Sequence, residues 1–352
     1  MKSRLLVTTA LVSAVALLSP AANAAEWDIQ IGGFYEQWVG FASFEDATGE
    51  DVSDLDVQED GEIHFKPEIT LDNGLTFGVN VQLEAATSED QIDQNFLFVR
   101  GEFGEVLLGS ENGAAYAMHY GVASEGIGLD SGDAGDWIGG ASGALFTTSN
   151  HALRDGESQK IRYITPRFEG FQFGISYAPE GREDTDGRVP NEAQNDGAVP
   201  EQIIQAAVNY ETMVDDVSFA ASLGGQIFGD VNGTSDTDAF MVAAGIHVGF
   251  SGFKIAVSGS HEESPENGVN DRQVIGASLG YASGPWGVSL AGIYGVQDNG
   301  GYDEDQISAE LGGHYNLGPG VTAAGSVYYV THDTGAGDSS GFAVVGGIVL
   351  NF

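Results

Sequence analysis

A two-residue rhythm of apolar and polar side chains runs the length of this chain, and few folds can accommodate it. Leu75, Phe77, Val79, Val81, Leu83 and Ala85 alternate with Thr76, Gly78, Asn80, Gln82 and Glu84. Glu62, His64, Lys66 and Glu68 alternate with Ile63, Phe65 and Ile69. Near the end, Ile307, Ala309, Leu311 and Tyr315 alternate with Gln306, Ser308, Glu310 and His314. Elsewhere the polar positions are often Gly, Ala or Ser. Neighbouring side chains of a strand point to opposite faces, so each such segment reads as a strand with one apolar and one polar face.

Sixteen segments fit this pattern: 27–41, 60–71, 75–86, 91–101, 105–110, 158–166, 171–179, 201–211, 216–228, 238–250, 253–262, 271–281, 286–296, 305–316, 321–332 and 341–352. Short turns such as Asp72-Asn73-Gly74 and Ser251-Gly252 alternate with long polar links such as 42–59, 180–200 and 333–340. An antiparallel membrane barrel with short turns at one end and long loops at the other produces this alternation. Its even strand count puts both termini on one side. Within a membrane an open sheet would leave backbone groups unpaired at two edges, so the strands must close. Sixteen strands enclose a lumen wide enough for water. The expected fold is therefore all-β, a transmembrane antiparallel barrel with apolar faces toward lipid and polar faces inward.

The first 24 residues support export. Lys2 and Arg4 precede an apolar run, Leu5 to Leu18, and Ala22-Asn23-Ala24 supplies a small-x-small cleavage pattern. The run is shorter than the roughly 20 residues a spanning helix needs. Residues 1–24 are thus expected to be a cleaved signal, and 25–352 a single barrel domain. The chain has no cysteine, which removes disulfides and thiolate chemistry. Its formal charge is −40, and losing Lys2 and Arg4 with the signal makes it more negative by two. Such a chain repels nucleic acid. Most of its acids read as solvated loop residues; together they also supply a field that enriches cations at a pore mouth. Tyr177, Tyr210, Phe250, Phe253, Tyr281, Trp286, Tyr294 and Tyr315 fall near strand ends, as interfacial girdles would.

Two stretches add a resemblance. Gly101-Glu102-Phe103-Gly104 leads into the fifth segment, and Ile161-Arg162-Tyr163-Ile164-Thr165-Pro166-Arg167-Phe168-Glu169-Gly170-Phe171 spans a later turn. With the terminal Phe352, these resemble the general, sixteen-stranded porins of Gram-negative bacteria along nearly all of 25–352. The resemblance implies a homotrimer in outer-membrane lipid and lipopolysaccharide. It implies passive diffusion of small hydrophilic solutes and recognition of Phe352 by the barrel-assembly machinery. It also implies a third loop folded inward as a constriction.

Here that loop is the longest link, 111–157, carrying Glu125, Asp130, Asp133, Asp136, Asp155 and Glu157. The resemblance implies that its acids face basic residues on the opposite wall, setting a transverse field. The candidates for that wall are Lys66, Arg100, Lys160 and Arg162, with Glu62, His64 and Glu68 also toward the lumen, and Lys254 and Arg272 on later strands. Ser110 and Glu111 stand where the family often has a basic residue. That departure and the overall charge suggest a preference for cations.

Other chemistry finds little support. The seven histidines, at 64, 119, 151, 247, 261, 314 and 332, include no i, i+4 pair and no His-x-His. No G-x-S-x-G elbow occurs, so the chain is expected not to be an enzyme. No cofactor is expected beyond weak divalent binding by the acidic loops. These lack the spacing of an EF-hand. A substrate-specific channel and a structural or adhesive barrel are the alternatives.

Overall fold

The computed structural model describes residues 26–45, 51–86, 91–130, 133–139, 145–148, 155–181, 200–229, 239–263, 271–298, 301–335 and 337–352. Sixteen strands lie among them. They are β1 (Asp28–Glu45), β2 (Asp51–Thr70), β3 (Thr76–Glu84), β4 (Ile92–Gly101), β5 (Gly104–Ser110), β6 (Gln159–Ile164), β7 (Phe171–Glu180) and β8 (Glu201–Val214). The second half comprises β9 (Val217–Gly229), β10 (Ala239–Phe250), β11 (Phe253–Glu263), β12 (Asp271–Ser283), β13 (Trp286–Asp298), β14 (Asp303–Gly318), β15 (Val321–Asp333) and β16 (Asp338–Asn351). Each pairs antiparallel with its sequence neighbours, and β1 pairs with β16 to close the barrel. Gly33 N–H donates to the Phe352 carbonyl at 3.0 Å and Phe352 N–H to the Gly33 carbonyl at 3.1 Å, so the seam is bonded to the last residue.

The main departure from the sequence reading is at β1 and β2. Residues 42–59 were expected to be a loop, yet β1 and β2 stay paired from Asp28↔Glu68 to Glu45↔Asp51. The acids of this stretch hide an alternation in which Leu55 and Val57 both point outward, more than half exposed. High Asp content lowers strand propensity. The continuing ladder overrides it, because both strands rise from a barrel wall that already sets their register.

Local chemistry explains the tight turns. Between β10 and β11, Ser251 and Gly252 adopt φ of +49° and +84°. Positive φ at both central residues marks the hairpin turn whose twist matches that of the strands. Beside these short turns the aromatics form a belt. Phe250 packs on Phe253 at 5.7 Å, Phe253 on Tyr281 at 4.6 Å and Tyr281 on Trp286 at 5.6 Å between ring centres. Aromatic rings with one apolar and one polar end suit the boundary of a membrane.

The strand faces separate as the alternation requires. Ile204, Leu223, Ile246, Ile275, Leu290 and Leu311 point outward, each at least two-fifths exposed. The intervening Gln205, Ser222, Ser258, Ser278, Ser289 and Glu310 point inward and are buried. Residues between β5 and β6 bury them. This segment carries two short helices, α1 (Ala114–Ala117) and α2 (Asp133–Ile138), and α2 touches β1, β15 and β16. It brings an apolar core into the barrel. Leu129, Trp137, Ile138, Leu145 and Phe146 pack with inward residues of the wall that include Trp38, Val274, Ile293, Tyr328 and Val345.

Candidate functional site

The described residues of the segment 111–157 are fastened along the inner wall by their own backbone. The N–H groups of Ala114, Tyr120, Ala123, Glu125 and Ile127 donate to the hydroxyls of Ser176, Ser222, Ser278, Ser289 and Ser326, at 2.8–3.2 Å. Ala115 N–H donates to Gln205 Oε1 at 2.8 Å, Gly128 N–H to Glu310 Oε1 at 3.0 Å and Phe146 N–H to Gln306 Oε1 at 2.8 Å. A loop inside a barrel has no strand partner for its amides, and a buried amide left unbonded is costly. The serine row supplies the missing acceptors. Space comes from wall glycines: a Cβ at Gly40 would overlap the Trp137 ring, one at Gly295 the Phe146 ring and one at Gly276 the Val122 side chain.

The sequence reading missed these serines and glycines as site residues. Their signal was present in the polar positions occupied by Ser and Gly instead of charge, each at inward parity on its strand.

The six loop acids have diverse surroundings. Glu125 Oε2 lies 3.4 Å from His314 Nδ1 on the wall. Asp130 is buried and braces the loop, accepting from Val122 N–H at 2.9 Å, Thr148 N–H at 2.6 Å and the Thr148 hydroxyl at 2.5 Å. Asp133 opens α2, and its side chain lies outside the described residues. Asp136 is exposed, and its carbonyl accepts from Gln58 Nε2 at 3.3 Å. Asp155 is buried beside Lys160, 3.4 Å away, and accepts from Gln205 Nε2 at 2.5 Å. Burial pushes the Asp155 carboxyl above its usual range, while Lys160 pulls it back. Glu157 accepts from Gln94 at 2.5 Å and Asn112 at 3.0 Å.

The four basic candidates divide into two groups. Lys160 and Arg162, expected on the wall facing the loop, grip the loop's own roots instead. Lys160 Nζ is fully buried and donates to the carbonyls of Glu111 and Gly156, the latter at 2.8 Å. Arg162 donates to the Asn112 carbonyl at 2.7 Å and pairs with Glu105 at 3.5 Å and Glu111 at 3.8 Å. The reason is local: β6 starts where the loop ends, so its first inward cations meet the loop's ends before they meet the lumen. Arg100 stays half-exposed on β4, bonded to Glu105 at 2.6 Å and 4.0 Å from Glu68. Lys66 is exposed.

On β2, Glu62 pairs with His64 at 2.6 Å. One carboxylate oxygen from each of Glu62, Glu84 and Asp93 lies within 4.8 Å of the others, an acidic corner on this side of the barrel. The loop touches β2 through Gln58 and β4 through Gln94.

A closed sixteen-strand barrel with a lipid-facing apolar exterior and a polar, loop-lined interior defines the class of outer-membrane β-barrel channels. The family profile described as Gram-negative porin matches residues 8–335, and the chain belongs to that family. Among solved structures, an anion-selective porin from Comamonas acidovorans has a TM-score of 0.65 at 17% identity, the match covering 93% of this chain and 100% of that one. A porin refined at 1.8 Å resolution gives 0.61 at 17% identity, covering 92% and 100%. The trimer form of OmpT, an outer membrane protein of Vibrio cholerae, gives 0.60 at 15% identity, covering 93% and 99%. No curated protein sequence matches this one.

Proposed function

We propose that this porin is a general diffusion channel for small hydrophilic solutes and ions, with a preference for cations. One observation supports the preference: of the four cations Lys66, Arg100, Lys160 and Arg162, three are engaged by neighbouring groups. Lys160 and Arg162 are bonded to the loop roots, and Arg100 is bonded to Glu105. Glu62, Glu84 and Asp93 form an acidic corner on this side of the barrel, with Lys66 exposed on β2. A lumen lined by one sign of charge between low-dielectric walls concentrates the opposite ion. The loop 111–157 acts as the constriction, and Asp136 is exposed among its described acids.

The same reading takes the mature chain to begin after Ala24, to assemble as a homotrimer in outer-membrane lipid and lipopolysaccharide, and to use Phe352 as its assembly signal. The trimer rests on the family and on the trimeric form of the Vibrio protein.

The test is single-channel recording of the detergent-purified protein in a planar bilayer under a salt gradient. Stepwise openings in groups of three with a cation-favouring reversal potential are expected. An anion-favouring potential would overturn the charge argument. Openings blocked by one sugar or ion would point to a substrate-specific channel. A silent but folded protein would revive the structural barrel.

A further inference from the structure

We propose that the outer face of β10–β13 seats one acyl chain of an outer-leaflet glycolipid, a chain that is amide-linked and hydroxylated at its root. The inference rests on the outer-membrane reading above and adds the lipid and its seat. A groove of about 770 Å³ crosses this lipid-facing wall, within the range of single-ligand sites. Its floor is a row of outward residues that are register partners in turn, Ala244, Gly259, Ile275 and Tyr294. The small Ala244 and Gly259 leave the hollow. Val242, Ile246 and Val257 stand beside it, each more than a third exposed.

Two polar residues close the groove toward the loop end. His261 and Gln273 are register partners at the outward parity of Val257 and Ile275, and both line it. From Phe253 in the aromatic belt to His261, β11 climbs about 26 Å, or about 20 Å in height at a tilt of about 40°. The apolar band of such a barrel is about 25 Å tall, so the pair lies just inside its outer edge. Among the described residues neither side chain has a hydrogen-bond partner. The His261 ring packs against Phe240, 5.7 Å between centres. Polar groups that face hydrocarbon without a partner are costly. A neutral imidazole and a side-chain amide each offer donors and an acceptor. A plain ester root has only carbonyl oxygens and would satisfy the donors alone. An amide and a hydroxyl at the chain root satisfy both, with the chain laid over Gly259 and Ala244 below. One step above, Glu263 and Asp271 are exposed register partners. They repel bare headgroup phosphates, so magnesium in solution should tighten binding.

The test is native mass spectrometry of the detergent-folded protein titrated with lipid A in magnesium, beside single-channel conductance of the same preparations. Wild type is expected to bind one lipid A per chain saturably. Phosphatidylethanolamine with plain ester-linked chains should bind about tenfold more weakly. A244F fills the hollow, and H261L/Q273L removes the polar end. Each places an apolar side chain toward lipid and is expected to fold. Both should weaken lipid A by about tenfold while conductance stays at the wild-type value. Equal lipid A binding in all three proteins would overturn the proposal, as would equal binding of the two lipids or binding of neither. Loss of trimers in A244F with lipid A binding unchanged would assign the groove to a second copy and overturn it too. A silent wild type that still binds one lipid A would refute the channel reading and support this site.

Discussion

Replacing Trp137 by alanine separates what holds the loop from what holds the barrel. Trp137 is 4% exposed, lies over Gly40 of β1 and belongs to the apolar core between α2 and the wall. Truncating a buried Trp to Ala costs about 3–5 kcal/mol, transfer and cavity together. That loss falls on the contact between loop and wall, because the ladders from β1 to β16 do not involve this ring. At 1.4 kcal/mol for each factor of ten, the ratio of seated to unseated loop should fall by roughly a hundred- to several-thousand-fold. Locally seated segments sit at the low end of a protein's stability range, so a shift of this size should populate the unseated form. The assay is single-channel recording beside heat-induced unfolding. The variant should show a larger or noisier open state and cleavage of the loop by added protease, with a barrel midpoint near wild type. Trp27→Ala, at a residue 54% exposed, is the matched control and should change neither. A quiet channel of normal conductance with a much lower midpoint would refute the reasoning, since the cluster would then be holding the wall.

Three further outcomes follow from the same contacts. Lys160→Met leaves Asp155 buried without its cation, which costs about 3–5 kcal/mol, and should free the loop roots, seen as faster hydrogen exchange around Glu111 and Gly156. Ser289→Ala removes the acceptor of Glu125 N–H, at about 1–3 kcal/mol, so exchange at that amide should accelerate while distant amides stay unchanged. Burial, with the charge of His247 second, lowers the pKa of His119 from 6.5 to about 4. His119 lies against Ser258, Ser222 and His247, with neighbouring Tyr120 packed on His247. Its neutral form favours the seated loop, so this stabilisation is complete above pH 6.5 and is lost as pH falls toward about 4. Channel noise should rise over that window, and His119→Gln should flatten the dependence; an unchanged profile in the variant would refute it.

The sequence by itself determined the barrel. Alternation fixes which side chains face out, the absence of long apolar helices leaves strands as the means of crossing, and closure follows because lipid solvates no backbone edge. These are local or solvent-imposed constraints, so sixteen strands and most turns were legible. Where the reading failed, at 42–45 and 51–59, composition masked a register imposed by neighbouring strands. The lumen was legible only in part. The loop's length and acids were visible, but the partner of each side chain was not, because contacts such as Lys160 with the Glu111 carbonyl or Glu125 N–H with Ser289 depend on how the loop lies against strands distant in sequence. Tertiary structure alone decided that two of the four basic candidates hold the loop in place, and that serines and glycines receive it. Periodicity reports the face of a strand, whereas charge balance inside a barrel depends on which groups find each other across it.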